Sequence, residues 1–506
     1  MLKLKPTEID THRRKECLPN TRLDVINSII DWMTDESEDC RPVLWLYGMA
    51  GSGKSTLSTT IAWLMRDLHR LAGFFFFDRD IPERNAAMLI RTLVYRLSQL
   101  DDRFGAAISQ IVASNPNIAD MPLDFQFRIL LSAGALESVE WLGGPVIWVV
   151  DALDECPNED DRQILTQALA KGFSNLPPFI RIMVVSRPEP DIQQALECHP
   201  HVRPFSLDID SATNKEDVSQ FIRHGLDQIR TKNRFLGTHW PGDDKVSALT
   251  KSAGGLFVWA STACLYISGY DPDKKLGELI AHQQEINPSE RFAPLDKLYK
   301  TGLQSAPHWH DPSFRTDCRD ILGVVLSARH PLSHSVIDVL LELPPNRTCL
   351  QSISHLGCVL HVSESEGIRT LHPSFHDYLA KRCNAEPWSI DLELHNKKLG
   401  LHCIELLDKE LHENICDMTL PHLTQKIPLS EPIIYACRFW IEHICLISHS
   451  TDDIVDRIYR FLGGNILLWM EALATLKCHD HTIRSLRHLL GWLMVCHLNY
   501  TRNVCH

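Results

Sequence analysis

The densest chemistry in this chain lies in nine consecutive residues, Gly48-Met49-Ala50-Gly51-Ser52-Gly53-Lys54-Ser55-Thr56. They satisfy the pattern G-x-x-x-x-G-K-[ST] in full. An apolar run, Val43 to Tyr47, precedes them and a helical pattern opens at Lys54, which is the setting this motif requires. Small residues let a loop wrap closely, so that successive backbone N–H groups can point at phosphate oxygens. The helix that follows adds the positive end of its dipole. Lys54 is expected to reach β- and γ-phosphates, and the Ser55 hydroxyl to ligate magnesium. The chemistry indicated is the binding of a nucleoside triphosphate with its metal.

A second group fits the first. Val146-Ile-Trp-Val-Val-Asp151-Ala-Leu-Asp154-Glu155 reads as a buried strand ending in acids. In a parallel sheet the C-terminal strand ends line the ligand crevice. Asp151 is then placed to hold Mg²⁺, a cation that takes oxygen ligands and keeps several waters. Asp154 and Glu155 follow one turn on, where a carboxylate would orient or deprotonate an attacking water. A solvated acidic turn is the simpler reading of these acids taken alone. The next strand, Arg181-Ile-Met-Val-Val-Ser186-Arg187-Pro188, ends in an arginine whose guanidinium would steady charge spreading over a γ-phosphate.

These groups need a scaffold. Short apolar runs at Val43–Tyr47, Gly73–Phe77, Val146–Val150 and Ile180–Val185 alternate with amphipathic segments over 57–69, 86–99 and 160–171. That rhythm predicts an α/β fold, a parallel sheet covered on both faces. Before it, Leu23, Ile26, Ile29, Ile30 and Met33 recur at helical spacing. After Pro204 the strand signal fades. Residues 208–288 read as helical with a break at Gly254–Gly255. Residues 292–383 read as helical with one hairpin, Val359–Val362 and Ile368–His372 around 363–367, the outline of a winged helix. From Trp388 onward the pattern is helical, punctuated by Pro421, Pro428 and Pro432. The expected domains are a lead-in over 1–40, a nucleotide domain over 41–205, a small helical domain over 206–290, a winged helix over 291–385 and a second helical domain over 386–506. No repeat of fixed period is evident.

Composition limits the partners. With 506 residues, 44% hydrophobic and 23% charged, the chain is globular in balance and long enough for several cores. The formal charge of −13 is spread along the chain without a basic stripe, which argues against nucleic acid. No run approaches the roughly 18 apolar residues of a membrane span. The N-terminus lacks the apolar core of a signal peptide, and sixteen scattered cysteines read as reduced thiols of a cytoplasmic protein. His308-Trp-His310, the Cys478–His481 segment and Cys505-His506 have no matching second pair for zinc, and no nucleophile motif of the G-x-S-x-G kind occurs.

Beyond the phosphate loop, several pieces carry a family resemblance: F-F-F-F-D-R-D at 74–80, V-V-D-A-L-D-E at 149–155, V-V-S-R-P at 184–188, the lead-in C-L-P-N-T-R at 17–22, G-G-L-F-V-W-A at 254–260 and L-H-P-S-F-H-D-Y-L at 371–379. Y-A-C-R-F-W at 435–440 and L-L-W-M-E-A-L at 467–473 extend it. The chain resembles the NACHT class of STAND nucleotide-gated ATPases, in particular its fungal, nephrocystin-like members. That resemblance implies an ADP-bound closed form and an ATP-bound form that opens and self-associates, with slow ATPase activity, in fungal non-self recognition or programmed cell death. It implies protein partners for sensing and output, ATP/ADP as nucleotide with GTP as the alternative, and Mg²⁺. It also implies a histidine latch on the β-phosphate of ADP, for which His372 is the matching position. Two departures stand out. The stretch Gly254-Gly255-Leu256-Phe257 lacks the proline often found beside the base, and no sensor repeats are visible. A continuously cycling ATPase or kinase, or a module that merely holds nucleotide, are the alternatives that the phosphate loop alone allows.

Overall fold

The computed structural model describes residues 14–35, 37, 40–79, 81, 84–131, 144–173, 177, 179–283, 292–306, 308–344, 346–384, 386–415, 429–448, 452–476 and 478–504. The chain divides into two compact units, residues 1–298 and 299–506.

The first unit is built on a parallel sheet: β1 (Val43–Tyr47), β2 (Leu71–Phe76), β3 (Val146–Asp151), β4 (Ile180–Ser186) and β5 (Val202–Ser206). Their order is β2-β3-β4-β1-β5. Side chains alternate between the two sheet faces, and the central strands are almost continuously apolar because both faces are covered, with Arg181, Asp151 and Ser186 the polar positions of β3 and β4. Trp45, Phe75, Trp148, Val150, Ile182 and Val184 point to one core. Leu44, Leu46, Phe74, Phe76, Val149 and Met183 point to the other. The first core is closed by α3 (Ala86–Leu100), α4 (Asp102–Ser114), α5 (Leu123–Leu131), α6 (Glu159–Phe173) and α7 (Pro190–Leu196). The second is closed by α1 (Leu23–Thr34) and α2 (Lys54–Asp67), through Ile29, Trp32, Met33, Leu57, Ile61 and Met65. Each such side chain, fully removed from water, contributes on the order of 1.5–3 kcal/mol.

Two features depart from the sequence reading. The strand signal does not end at Pro204: β5 runs through it, paired to β1 along its whole length. Proline is tolerated there because β5 is an edge strand, with only Val202 fully buried. The segments 102–114 and 123–131 are helices as well, α4 and α5, where the sequence offered no assignment.

Beyond the sheet, α8 (Ala212–Lys232), α9 (Asp243–Ala253), α10 (Phe257–Ile267), α11 (Pro272–Gln283) and α12 (Ala293–Gln304) follow, the last crossing the division between units. Ser211 caps α8 by accepting the amide of Asn214 at 3.2 Å. Gly254 ends α9 in a left-handed conformation.

The second unit holds α13 (Pro312–Ser327), α14 (His334–Leu340), α15 (Cys349–Ile353), the antiparallel hairpin β6 (Leu360–Ser363) and β7 (Gly367–Thr370), and the short helix α16 (Pro373–Asp377). Helices α17 (Leu392–Glu410), α18 (Glu431–Cys445), α19 (Asp452–Thr475) and α20 (His479–Val504) complete it. Pro432 stands at the start of α18, where no amide is needed; Pro421 and Pro428 lie outside the described residues. Trp440 and Trp469 meet edge to face, 5.8 Å apart, in its core. His443 is fully buried there between Asn396 Oδ1 and the Tyr435 hydroxyl, 2.8 Å from each. Burial holds this imidazole well below its usual pKa, hence neutral. It then donates from Nδ1 to Asn396 and accepts the tyrosine proton at Nε2, and the tyrosine oxygen accepts the Arg329 amide at 3.2 Å. Among the described residues no helix is long and apolar enough to cross a membrane, and the buried cysteines, Cys156, Cys318, Cys349, Cys358, Cys383, Cys403 and Cys437, are free thiols.

Candidate nucleotide site

Residues 48–53 carry the chain from β1 to α2 at the C-terminal edge of the sheet. Gly51 and Gly53 have φ of 78° and 90°, the left-handed region that glycine enters without penalty. Lys54 folds back over the loop and donates to the carbonyls of Gly48 and Met49, at 2.8 and 2.9 Å. Burial lowers its pKa to about 8, against the opposing pull of Asp154 and, more weakly, of Asp151 and Glu155. An ammonium held this way gains from any phosphate placed beside it. Ser52 Oγ is buried in the loop without a hydrogen-bond partner.

Asp151 ends β3 and is fully buried. Strand β4 lies between β1 and β3, yet the Ser55 hydroxyl reaches across to Asp151 Oδ1, at 3.4 Å. A hydroxyl and a carboxylate so arranged form a hard oxygen donor set, and the residues fit Mg²⁺. Ala152 then takes a left-handed backbone, φ 55°, unusual for a residue with a Cβ. That kink turns the chain into a single 3₁₀ turn, Leu153–Glu155, closed by the Glu155 amide on the Ala152 carbonyl at 2.8 Å.

The turn separates the two acids that the sequence left interchangeable. Asp154 Oδ1 accepts the Arg187 amide at 2.9 Å, and Oδ2 lies 3.3 Å from Arg187 Nε. Asp154 therefore positions Arg187, and Arg187 meets the site as half of an ion pair. Glu155 has its pKa raised, first by burial and then by the negative charge of Asp154. A carboxylate tuned upward is the better general base near neutral pH.

The sequence reading missed what surrounds the loop. Val258, in the first turn of α10, donates its amide to the Gly51 carbonyl at 3.1 Å. A Cβ on Gly51 would lie 2.0 Å from Val258 Cγ1. Arg22 donates to the Ser52 carbonyl at 2.6 Å, holds the Asp217 carboxylate through its backbone amide at 3.1 Å, and lies 4.8 Å from the Phe257 ring centroid. The lead-in C-L-P-N-T-R and the G-G-L-F-V-W-A piece thus converge on the phosphate loop and meet each other there, at Arg22 and Phe257. Nothing in their spacing announced this, because the contacts span 30 residues in one case and more than 200 in the other. Arg14 pairs with Asp151 Oδ2. Its guanidinium carbon sits 3.8 Å from the Phe76 ring centroid, and that of Arg84 sits 3.7 Å from it, so the ring carries a cation on each face.

His372 belongs to the second unit. Its Nδ1 accepts the Ser374 amide at 3.1 Å and contacts the Ser374 hydroxyl at 2.7 Å, starting α16. The structure therefore gives it a capping task.

Comparison with known proteins places these features. Residues 26–187 match the family model for Nephrocystin 3, N-terminal. The chain is 24% identical over 497 residues to the vegetative incompatibility protein HET-E-1 of Podospora anserina, an alignment covering 89% of this chain and 34% of that protein. The chain thus spans about a third of the length of the curated relative it matches. Among solved structures it is similar to the STAND protein with a tetratricopeptide repeat sensor, PH0952, from Pyrococcus horikoshii. That match has a TM-score of 0.43 and 13% identity, over 97% of this chain and 60% of the other. Drosophila ORC bound to GC-rich DNA and Cdc6 matches with a TM-score of 0.25 and 13% identity, over 93% and 69% of the two chains. At those scores neither structure bears on function.

Proposed function

We propose that this chain, a P-loop NTPase of the NACHT/STAND kind, is a nucleotide-gated signalling scaffold that is closed with ADP, opens and self-associates with ATP, and hydrolyses ATP slowly. The observation that carries this reading is the joining of loop and helices. Lys54, Ser55 and Asp151 form a phosphate-and-metal site, and the loop that would hold the phosphates is itself hydrogen-bonded to α10 through Gly51 and Val258. A loop that adjusts to its nucleotide must move that helix or break that bond. Magnesium, held by Ser55 and Asp151, would neutralise phosphate charge when bound. Lys54 and the loop amides bind the phosphates, Arg187 faces them as positioned by Asp154, and Glu155 orients the attacking water. The similarity to a vegetative incompatibility protein supports a role in fungal non-self recognition or programmed cell death. In this reading the region 291–385 is a winged helix and His372 contacts the β-phosphate of ADP.

The test is to trap the purified protein with ADP and, separately, with a non-hydrolysable ATP analogue. The two forms should differ in hydrodynamic size and protease pattern, and His372→Ala should release ADP faster than the parent. Identical size and identical cleavage in both forms would end the switch reading and leave a nucleotide-holding module. Denaturing the protein and identifying the nucleotide it releases decides between adenine and guanine.

Glu155→Gln is expected to leave nucleotide affinity unchanged and to slow hydrolysis by about 10²-fold or more, the usual scale for removing a general base. Since burial raises the Glu155 pKa, the parent's single-turnover rate should climb with pH as this carboxyl ionises, and the variant's should not. Unchanged turnover in Glu155→Gln would transfer the role to Asp154.

A further inference from the structure

We propose that Arg14 is a built-in counter-ion of Asp151 that Mg²⁺ must displace, so that binding of the metal–nucleotide complex releases residues 14–16 from the nucleotide module. This rests on the reading of Asp151 as the magnesium-side carboxylate. The geometry is one of competition. Asp151 is fully buried and has two oxygens: Oδ1 faces the Ser55 hydroxyl and Oδ2 is in contact with Arg14 Nη1. A magnesium ion with its water shell, docked at Ser55, would need that same carboxylate and would set two further positive charges beside the guanidinium. Both cations draw on one buried carboxylate, Arg14 directly at Oδ2 and magnesium through its water shell on the Oδ1 side, so each weakens the hold on the other in a poorly screened site.

The anchors of the lead-in make its release local. At its far end Arg22 is fixed twice, by its guanidinium on the Ser52 carbonyl and by its amide on Asp217. In the middle the Cys17 amide donates to Thr60 Oγ1 on α2, at 2.9 Å. Between Cys17 and Arg14, Lys15 and Glu16 are exposed. Arg14 is held at the other end by Asp151 and by its stack on Phe76, which is itself the register partner of Asp151 in the sheet. Loss of the ion pair therefore leaves Arg14 with the weaker Phe76 stack and loosens residues 14–16, while Arg22 keeps its grip on the loop.

The experiment is a Mg²⁺ titration of fluorescent-ADP binding to the parent, Arg14→Ala and Asp151→Asn, with amide hydrogen exchange of the 14–22 segment measured in the same samples. Arg14→Ala should lower the Mg²⁺ concentration for half-saturation by about tenfold. In the parent, Mg²⁺ with ADP should speed exchange around Arg14–Cys17 and leave Arg22 protected; in Arg14→Ala that exchange should be fast before metal is added. An unchanged or higher Mg²⁺ requirement in Arg14→Ala overturns the proposal, since Arg14 would then be a bystander or a phosphate ligand. Asp151→Asn separates the two layers. If it binds ADP with the parent's Mg²⁺ dependence, the metal reading of Asp151 fails and the proposal with it. If it loses that dependence while Arg14→Ala titrates like the parent, only the counter-ion proposal fails.

Discussion

Lys54→Ala is expected to weaken binding of ATP and ADP by at least about a hundredfold. Hydrogen bonds to charged groups contribute about 1.5–3 kcal/mol each, and this ammonium would serve two phosphates from a site that burial has already stripped of water. It donates to the Gly48 and Met49 carbonyls of its own loop. Its pKa of about 8 reflects that unfavourable setting. The sign of the pH dependence follows. Phosphate oxygens favour the ammonium form and raise the pKa again, so nucleotide binding at pH 8 should take up about half a proton, and affinity should fall as pH rises above 8. Calorimetry in two buffers of different ionisation enthalpy measures that uptake directly. Stability without nucleotide should move the other way. The unfolded lysine keeps the higher pKa and binds more protons between pH 8 and 10.5, so the cost of burying the charge fades as pH rises through that window. Undiminished affinity in Lys54→Ala, or binding with no proton exchange at pH 8, would remove the phosphate-loop assignment.

The second large effect falls on stability. Gly255→Ala should destabilise the first unit by about 3 kcal/mol or more. Two costs add. The residue sits at φ 78°, where an L side chain costs about 1–2 kcal/mol. Its Cβ would also lie 2.0 Å from the Ile209 carbonyl oxygen, a backbone atom with no rotamer to give, and overpacking of this kind costs about 1–3 kcal/mol. That carbonyl is held in place by Asn214 Nδ2 at 2.7 Å, and the same amide donates to the Gly255 carbonyl at 3.0 Å. Gly254 is an internal control. It too is left-handed, at φ 53°, but a Cβ there meets open space. Gly254→Ala should therefore cost only about 1 kcal/mol, the backbone part alone. Denaturant unfolding of the full chain, with proteolysis mapping which unit opens first, distinguishes the pair. Equal losses in the two variants would mean that the close approach at Ile209 relaxes freely. Because α10 starts two residues after Gly255 and donates to the phosphate loop through Val258, Gly255→Ala should also weaken nucleotide binding.

What the sequence determined by itself was everything with a local signature. The loop from Gly48 to Thr56 needs small residues at fixed spacing, so its pattern is written in adjacent positions. The strands of the sheet are short apolar runs because both faces are covered, and four of the five could be read that way. The fifth, β5, could not: an edge strand buries little, so Val202–Ser206 carries no apolar run and even holds a proline. The hairpin of the second unit was legible because turn residues separate two short strands.

Only the tertiary structure decided what each charge does. Asp154 and Glu155 are neighbours in sequence and equivalent to any pattern. The left-handed backbone at Ala152 and the 3₁₀ turn after it send Asp154 to Arg187 and leave Glu155 in a setting that raises its pKa. Arg14, Arg22 and Val258 gave no warning, since an arginine in a polar lead-in and a valine in an apolar helix look like surface and core. Their roles arise where segments far apart in the chain meet at one loop. Electrostatic energy depends on distance in space and on the water excluded between groups, and neither quantity is encoded at any single position of the sequence.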